Sequence, residues 1–192
     1  MSAPATLPAP VPSVPLMTAA EFLALHGDES NVELVKGRVV RYPMPGPKHG
    51  LVCNKAAFLI TRHVFEHDLG RVMSNDTFIR VASGPDTFRG ADVCFLSYAR
   101  LAKDQPLPDG ALISPDLVVE VRSPTDRLNK LTGKASEYLD AGVTVVVLLI
   151  PETQTAAVYR QDDLPVQLGS DEELKLPDVL PGFAVPVRAF FE

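Results

Sequence analysis

The chain has 192 residues, 18 Lys and Arg against 24 Asp and Glu for a formal net charge of -6, and 46% hydrophobic residues. A single domain of this length buries roughly 70% of the surface that its unfolded chain exposes, which excludes a disulfide-stapled scaffold, and the apolar content excludes a disordered chain. The acidity argues against coating nucleic acid through bulk charge, and no apolar run approaches the roughly 18 residues of a membrane helix, so a cytoplasmic protein without a membrane partner is expected.

In chain order, residues 1–16 hold five of the 18 prolines and no charged side chain, the composition of a flexible tail, and residues 17–192 are expected to form the one domain. Thr18 and Glu21 have the spacing of a capping box and predict a short helix ending near His26. VELVKGRVV reads as two short strands turning at Lys36 and Gly37. Val52, Ala56, Leu59, Ile60 and Val64 recur at helical spacing and predict a long helix over residues 48–68. Strands are expected at 71–74, 77–82, 91–97 and 117–122, and a second amphipathic helix at 126–141, stopped by Gly142. The continuously apolar, β-branched run 143–150 reads as a strand buried on both faces, with a hairpin partner at 156–160 and an irregular tail after it. Helices interleaved with strands give an α/β (α+β) domain, a mixed sheet with helices against it.

Cys53 and Cys94 form no CxxC pair, so neither a disulfide framework nor a thiolate zinc cage is expected. The chemistry concentrates in PDLVVEVRSPTDR, residues 115–127. Alternation places Asp116, Val118, Glu120 and Arg122 on one face of this strand, and a carboxylate within an apolar strand costs several kcal/mol unless it meets a cation, a metal or a strong donor. Asp92, in RGADVCFLS, repeats the anomaly 28 residues earlier. Two such carboxylates on neighbouring strands can converge on one divalent ion, and hard oxygen ligands suit Mg²⁺ or Mn²⁺. In the following helix, Lys134 lies roughly 60° from Leu131, at the edge of the apolar stripe, from where an ammonium can reach the carboxylates. Asp116, after Pro115, reads as a strand-entry residue, and Asp126 as a helix-start cap.

Asp92, then Glu120 followed two positions later by a basic residue, resembles the PD-(D/E)xK nuclease signature. The closer resemblance is to the Uma-two family of restriction-endonuclease-like proteins, through MTAAEFLAL, VELVKGRVV, PGPKHG, RGADVCF, PDLVVEVRSPTDR, KASEYLDAGV and LPGFAVPV in that order. The resemblance implies a restriction-endonuclease-like mixed sheet flanked by helices, and hydrolysis of DNA phosphodiester bonds with Asp92 and Glu120 holding Mg²⁺ or Mn²⁺. Arg122 stands where the superfamily has lysine. Arginine does not give up its proton at neutral pH, so Arg122 cannot act as a base and Arg122 or His49 is expected to contact phosphate, while Lys134, four residues before Tyr138, takes the lysine's part. The resemblance also implies roles for Glu33 and His49, and cutting both strands of a duplex implies a homodimer.

Two rival readings come from the same residues. His63, Glu66 and His67 spell H-x-x-E-H, an inverted zinc-hydrolase signature, but at the end of a helix and without a third ligand in a supporting position. A catalytically silent nucleic-acid or protein-binding module on the nuclease fold is disfavoured by the intact Asp92, Glu120 and Lys134, since a decayed site is expected to lose carboxylates.

Overall fold

A computed structural model describes residues 15–112, 114–124 and 126–192. The expected proline-rich tail therefore lies, up to residue 14, outside the described residues. Helix α1 (Ala19–His26) opens on the predicted capping box: the Glu21 N–H donates to the Thr18 hydroxyl at 3.3 Å and the Thr18 N–H to the Glu21 carboxylate at 2.8 Å. Strands β1 (Val32–Val35) and β2 (Arg38–Arg41) form the hairpin, turning through Lys36 and Gly37 at φ of 50° and 71°. Helix α2 (Pro47–Glu66) starts on a proline in its first turn and buries the five predicted apolar positions.

The two strands expected at 71–74 and 77–82 are one strand, β3 (Gly70–Ser83), with a bulge in it. It pairs with β4 (Asp86–Ser97), Ser74 opposite Val93 and Thr77 opposite Ala91, so Asn75 and Asp76 together oppose Asp92. Strand β5 (Leu117–Val121) is followed by α3 (Leu128–Asp140) and β6 (Val145–Ile150), and then by β7 (Thr155–Arg160) and β8 (Val166–Leu168). The C-terminal stretch is more regular than expected: β9 (Glu173–Lys175) pairs with β10 (Ala184–Pro186), and a 3₁₀ turn spans Val187–Phe190.

The main sheet has the order β2-β1-β4-β5-β6-β7-β8, with β3 also paired to β4. Strands β5 and β6 run parallel, joined through α3, and the other neighbours are antiparallel. Side-chain alternation then divides the core in two. Val93, Phe95, Val119, Val147 and Leu149 pack against α2 and the C-terminal segment. Cys94, Val118, Val146 and Leu148 pack against Leu131, Ala135 and Tyr138 of α3. Both faces of β5 and β6 are covered, which explains their unbroken apolar runs. Among the described residues, no helix is long and apolar enough to cross a membrane.

Because Leu149 is 0% exposed between β6 and the α2 layer, Leu149→Ala should lower stability by about 2–5 kcal/mol, read as a reduced urea midpoint at unchanged slope.

Candidate active site

The carboxylate that the β5 sequence leaves unexplained, Glu120, is buried on the α3 side of the sheet. Its cation is Lys134. Nearly two turns into α3, the Lys134 ammonium donates to Glu120 Oε2 at 3.0 Å and to the Gly90 carbonyl at 2.7 Å, and lies 3.0 Å from Glu33 Oε1. An ammonium has three protons, and here three acceptors meet them. Tyr138, the next residue on the same helix face, donates its hydroxyl to Glu120 Oε1 at 2.8 Å.

Glu33 comes from the first hairpin and is bound on both oxygens. Oε1 accepts the Gly90 N–H at 3.0 Å, while Oε2 takes the Arg89 guanidinium at 2.8 Å and the Tyr42 hydroxyl at 2.9 Å. Arg89 also bridges to Glu137 of α3 at 2.6 Å. Burial opposes ionisation of Glu33, but the Lys134 and Arg89 cations outweigh it and hold the carboxyl down at about 2. Glu120 shares Lys134 yet goes the other way: burial, seconded by the charge of Asp92, pushes it up to about 8 against the pull of the ammonium. Lys134 itself is held well above its ordinary value by Glu120, Tyr138 and Glu33, despite its burial. Glu33 and Lys134 are thus the settled ion pair, and Glu120 is the member that takes up a proton most readily.

A second group of side chains meets at the β3 bulge. Asn75 and Asp76 adopt left-handed conformations, φ 69° and 57°, which Asn and Asp tolerate better than most residues. Gly90 makes room for them, since a Cβ there would stand 3.2 Å from Asp76 Cβ. Opposite the bulge, Asp92 accepts the Val121 N–H at 2.7 Å and lies 3.5 Å from His49 Nε2. His49 and Cys53, one turn apart on α2, approach to 3.4 Å between Nδ1 and Sγ. The Asp92 carboxylate raises His49, while burial, then Asp92, pushes the Cys53 thiol upward. Asp76 retains exposed surface, yet the protein around the cleft and then the charge of Asp92 raise its carboxyl.

These groups line one cleft of about 490 Å³, which receives Glu33, His49, Asp76, Asp92, Glu120 and Lys134. Burial and then the charge of Asp92 raise the carboxyls of both Asp76 and Glu120, a repulsion that a divalent cation would relieve, and the carboxylate oxygens of the three residues suit Mg²⁺ or Mn²⁺. The chemistry of the donor set therefore fits such an ion.

Five of the six residues singled out in the sequence come together here. Arg122 is the exception: β5 ends at Val121, and beyond it the guanidinium donates to the Asp126 carbonyl at 3.4 Å and lies 3.9 Å from Glu152. It is not among the residues that line the cleft, which leaves the phosphate contact expected of it without support there. Asp116 sits at the far end of β5, accepting the Ser97 N–H at 2.7 Å and pairing with Arg100 at 2.9 Å, as suits a strand-entry residue. In the H-x-x-E-H stretch, His63 Nε2 is bonded to the Pro181 carbonyl at 3.0 Å and His67 Nδ1 to the His63 carbonyl at 2.9 Å, and among the described residues the ligand atoms that converge as a metal site would require belong to His49, Cys53 and Asp92 rather than to this stretch. Asp76, Arg89, Tyr138 and Cys53 are site residues that sequence reasoning missed. Of these, only Asn75-Asp76 carried a local signal, a turn-forming pair inside a strand pattern.

The sequence profile of the Uma2 family, described as "Putative restriction endonuclease", matches residues 19–188. A crystal structure of a putative nuclease belonging to DUF820 from Anabaena variabilis superposes with a TM-score of 0.80 at 22% identity, over 91% of this chain and 97% of that one. At that identity the likeness is one of fold. No curated protein matches.

Glu33 falls from an ordinary 4.5 to about 2 on folding, so its contribution is complete above pH 4.5 and is lost as the pH falls toward 2. The shift corresponds to about 3 kcal/mol. Urea titrations in EDTA between pH 7 and pH 2 should show the wild type losing stability across that window, and Glu33→Gln, weaker at pH 7, losing about 3 kcal/mol less. Parallel curves would mean that Glu33 is not held as an ion.

Proposed function

The chain belongs to the Uma2 family, and from that membership and the cleft we propose that it is an endonuclease hydrolysing DNA phosphodiester bonds, with Mg²⁺ or Mn²⁺ held by Asp92 and Glu120. The observation that carries this reading is the Lys134 ammonium, fixed by Glu33, Glu120 and Gly90 in the cleft that also holds Asp92.

When bound, a divalent cation supplies positive charge to a phosphate and acidifies water beside it. The chain's residues do the rest. Lys134 stays protonated, so it orients the attacking water and offsets the negative charge that grows on the phosphate, rather than acting as a base. Glu33, anchored by Arg89 and the Gly90 N–H, fixes the ammonium in place and leaves the more weakly ionised Glu120 to face the cation. His49, drawn toward its protonated form by Asp92, presents a donor to a phosphate oxygen. A homodimer would present two such sites related by a two-fold axis, as cleavage of both strands of a duplex requires.

Supercoiled plasmid incubated with Mg²⁺ or Mn²⁺ should be nicked and linearised by the wild type, not in EDTA, and about 100-fold more slowly by Glu120→Gln and Lys134→Met. Arg122→Ala should cleave like the wild type. Equal cleavage by Glu120→Gln would overturn the assignment of the activity to this cleft, and no cleavage across metals and DNA forms would favour the silent binding module.

A further inference from the structure

The hard-ligand view of the cleft leaves one neighbour unexplained. Cys53 is a residue of α2 with no part in the phosphodiesterase reading, yet its sulfur stands beside His49 and Asp92. Among the described residues, His49, Cys53 and Asp92 are the trio whose ligand atoms all lie within 4.8 Å of one another. The four-residue spacing puts His49 and Cys53 on the same helix face, one turn apart, turned toward the sheet. Asp92 is delivered from β4 at the bulge and held there by the Val121 N–H.

We propose that His49, Cys53 and Asp92 form a thiolate, imidazole and carboxylate site for a borderline-soft transition ion of the Zn²⁺ or Co²⁺ class, and that such an ion competes for Asp92 with the Mg²⁺ proposed above. The part concerning competition rests on the phosphodiesterase reading, and the site itself does not. Ordinary zinc bond lengths in a tetrahedral arrangement put nitrogen and oxygen ligands about 3.4 Å apart and nitrogen and sulfur about 3.6 Å apart. His49 Nε2 lies 3.5 Å from Asp92 Oδ2 and 3.9 Å from Cys53 Sγ, so small shifts would seat an ion. Three protein ligands leave a fourth position open, toward the cleft that His49 and Asp92 line. Thiolate and imidazole select Zn²⁺ and Co²⁺ over Mg²⁺, which carboxylates alone do not.

The balance of the step is simple. The Cys53 thiol gives its proton to the buffer as the metal–sulfur bond forms, His49 gives up any proton it carries, and nothing is oxidised or reduced. Because the thiol must lose its proton to bind the ion, uptake should strengthen with rising pH.

The full-length chain, reduced and without DNA, is titrated with Co²⁺ and followed by absorption, and with Zn²⁺ by calorimetry in two buffers of different ionisation enthalpy. The wild type should show a near-ultraviolet sulfur-to-cobalt charge-transfer band and release at least one proton per Zn²⁺. Cys53→Ser should lose the band, release fewer protons and bind Zn²⁺ about 100-fold more weakly. Cys94, buried in the opposite core layer, remains in both proteins as an internal control. Circular dichroism and the urea midpoint establish that Cys53→Ser is folded, and His49→Gln provides a second variant, expected to keep the thiol yet weaken Zn²⁺. A band that persists in Cys53→Ser, Co²⁺ binding without a band, or no uptake of either ion would overturn the site. Plasmid cleavage plays no part in these readouts, so loss of the site and loss of nuclease activity are separately visible.

Discussion

Four elements of this protein are fixed relative to one another by a single, partly buried ammonium. Lys134 reaches from α3 and finds acceptors on β1, β4 and β5, namely Glu33, the Gly90 carbonyl and Glu120. Removing a charge of this kind from water costs several kcal/mol, which only a complete set of partners offsets, so the strand order that brings those three acceptors to one point is also what makes the lysine tolerable. The arrangement is asymmetric. Glu33 has two cations and a backbone donor and stays ionised, whereas Glu120 must share Lys134 while feeling Asp92, and its hold on a proton tightens.

The other half of the cleft is built by the bulge in β3. Two residues opposing one put Asp76 and Asp92 near each other, and the left-handed backbone at Asn75 and Asp76 is accommodated because Gly90 has no side chain. Gly90 thereby serves both halves, with its carbonyl on Lys134, its N–H on Glu33 and its bare Cα beside Asp76. A chain with net charge -6 concentrates carboxylates at this one place, and a divalent cation there would reverse the local sign where a phosphate has to approach.

Much of this was legible in residue order. A lone glutamate in LVVEV has to be partnered, and a lysine at the edge of an amphipathic helix that follows is a natural partner, so Glu120 and Lys134 follow from alternation and helical spacing. The capping box, the long helix and the doubly buried strand were equally plain, because each is a local pattern. What was not legible depends on tertiary register. Arg122 shares a face with Glu120 only if the strand continues, and it stops one residue earlier. Tyr138 looks like a core residue in sequence, and it is one, but its hydroxyl ends on Glu120. Arg89 is separated by 56 residues from the Glu33 it binds, a pairing that no local spacing announces. Cys53 reads as a small apolar residue until the sheet brings Asp92 to its neighbour His49.

The organisation of the cleft depends on the coupling between Lys134 and Glu33, which a double-mutant cycle measures directly. Urea unfolding free energies of the wild type, Lys134→Met, Glu33→Gln and the double variant, at pH 7 in EDTA, should give a coupling energy of about 1–3 kcal/mol, with the double variant less destabilised than the sum of the singles. Additivity within about 0.5 kcal/mol would mean that the ammonium is not held by Glu33, and would contradict the proposed organisation of the cleft.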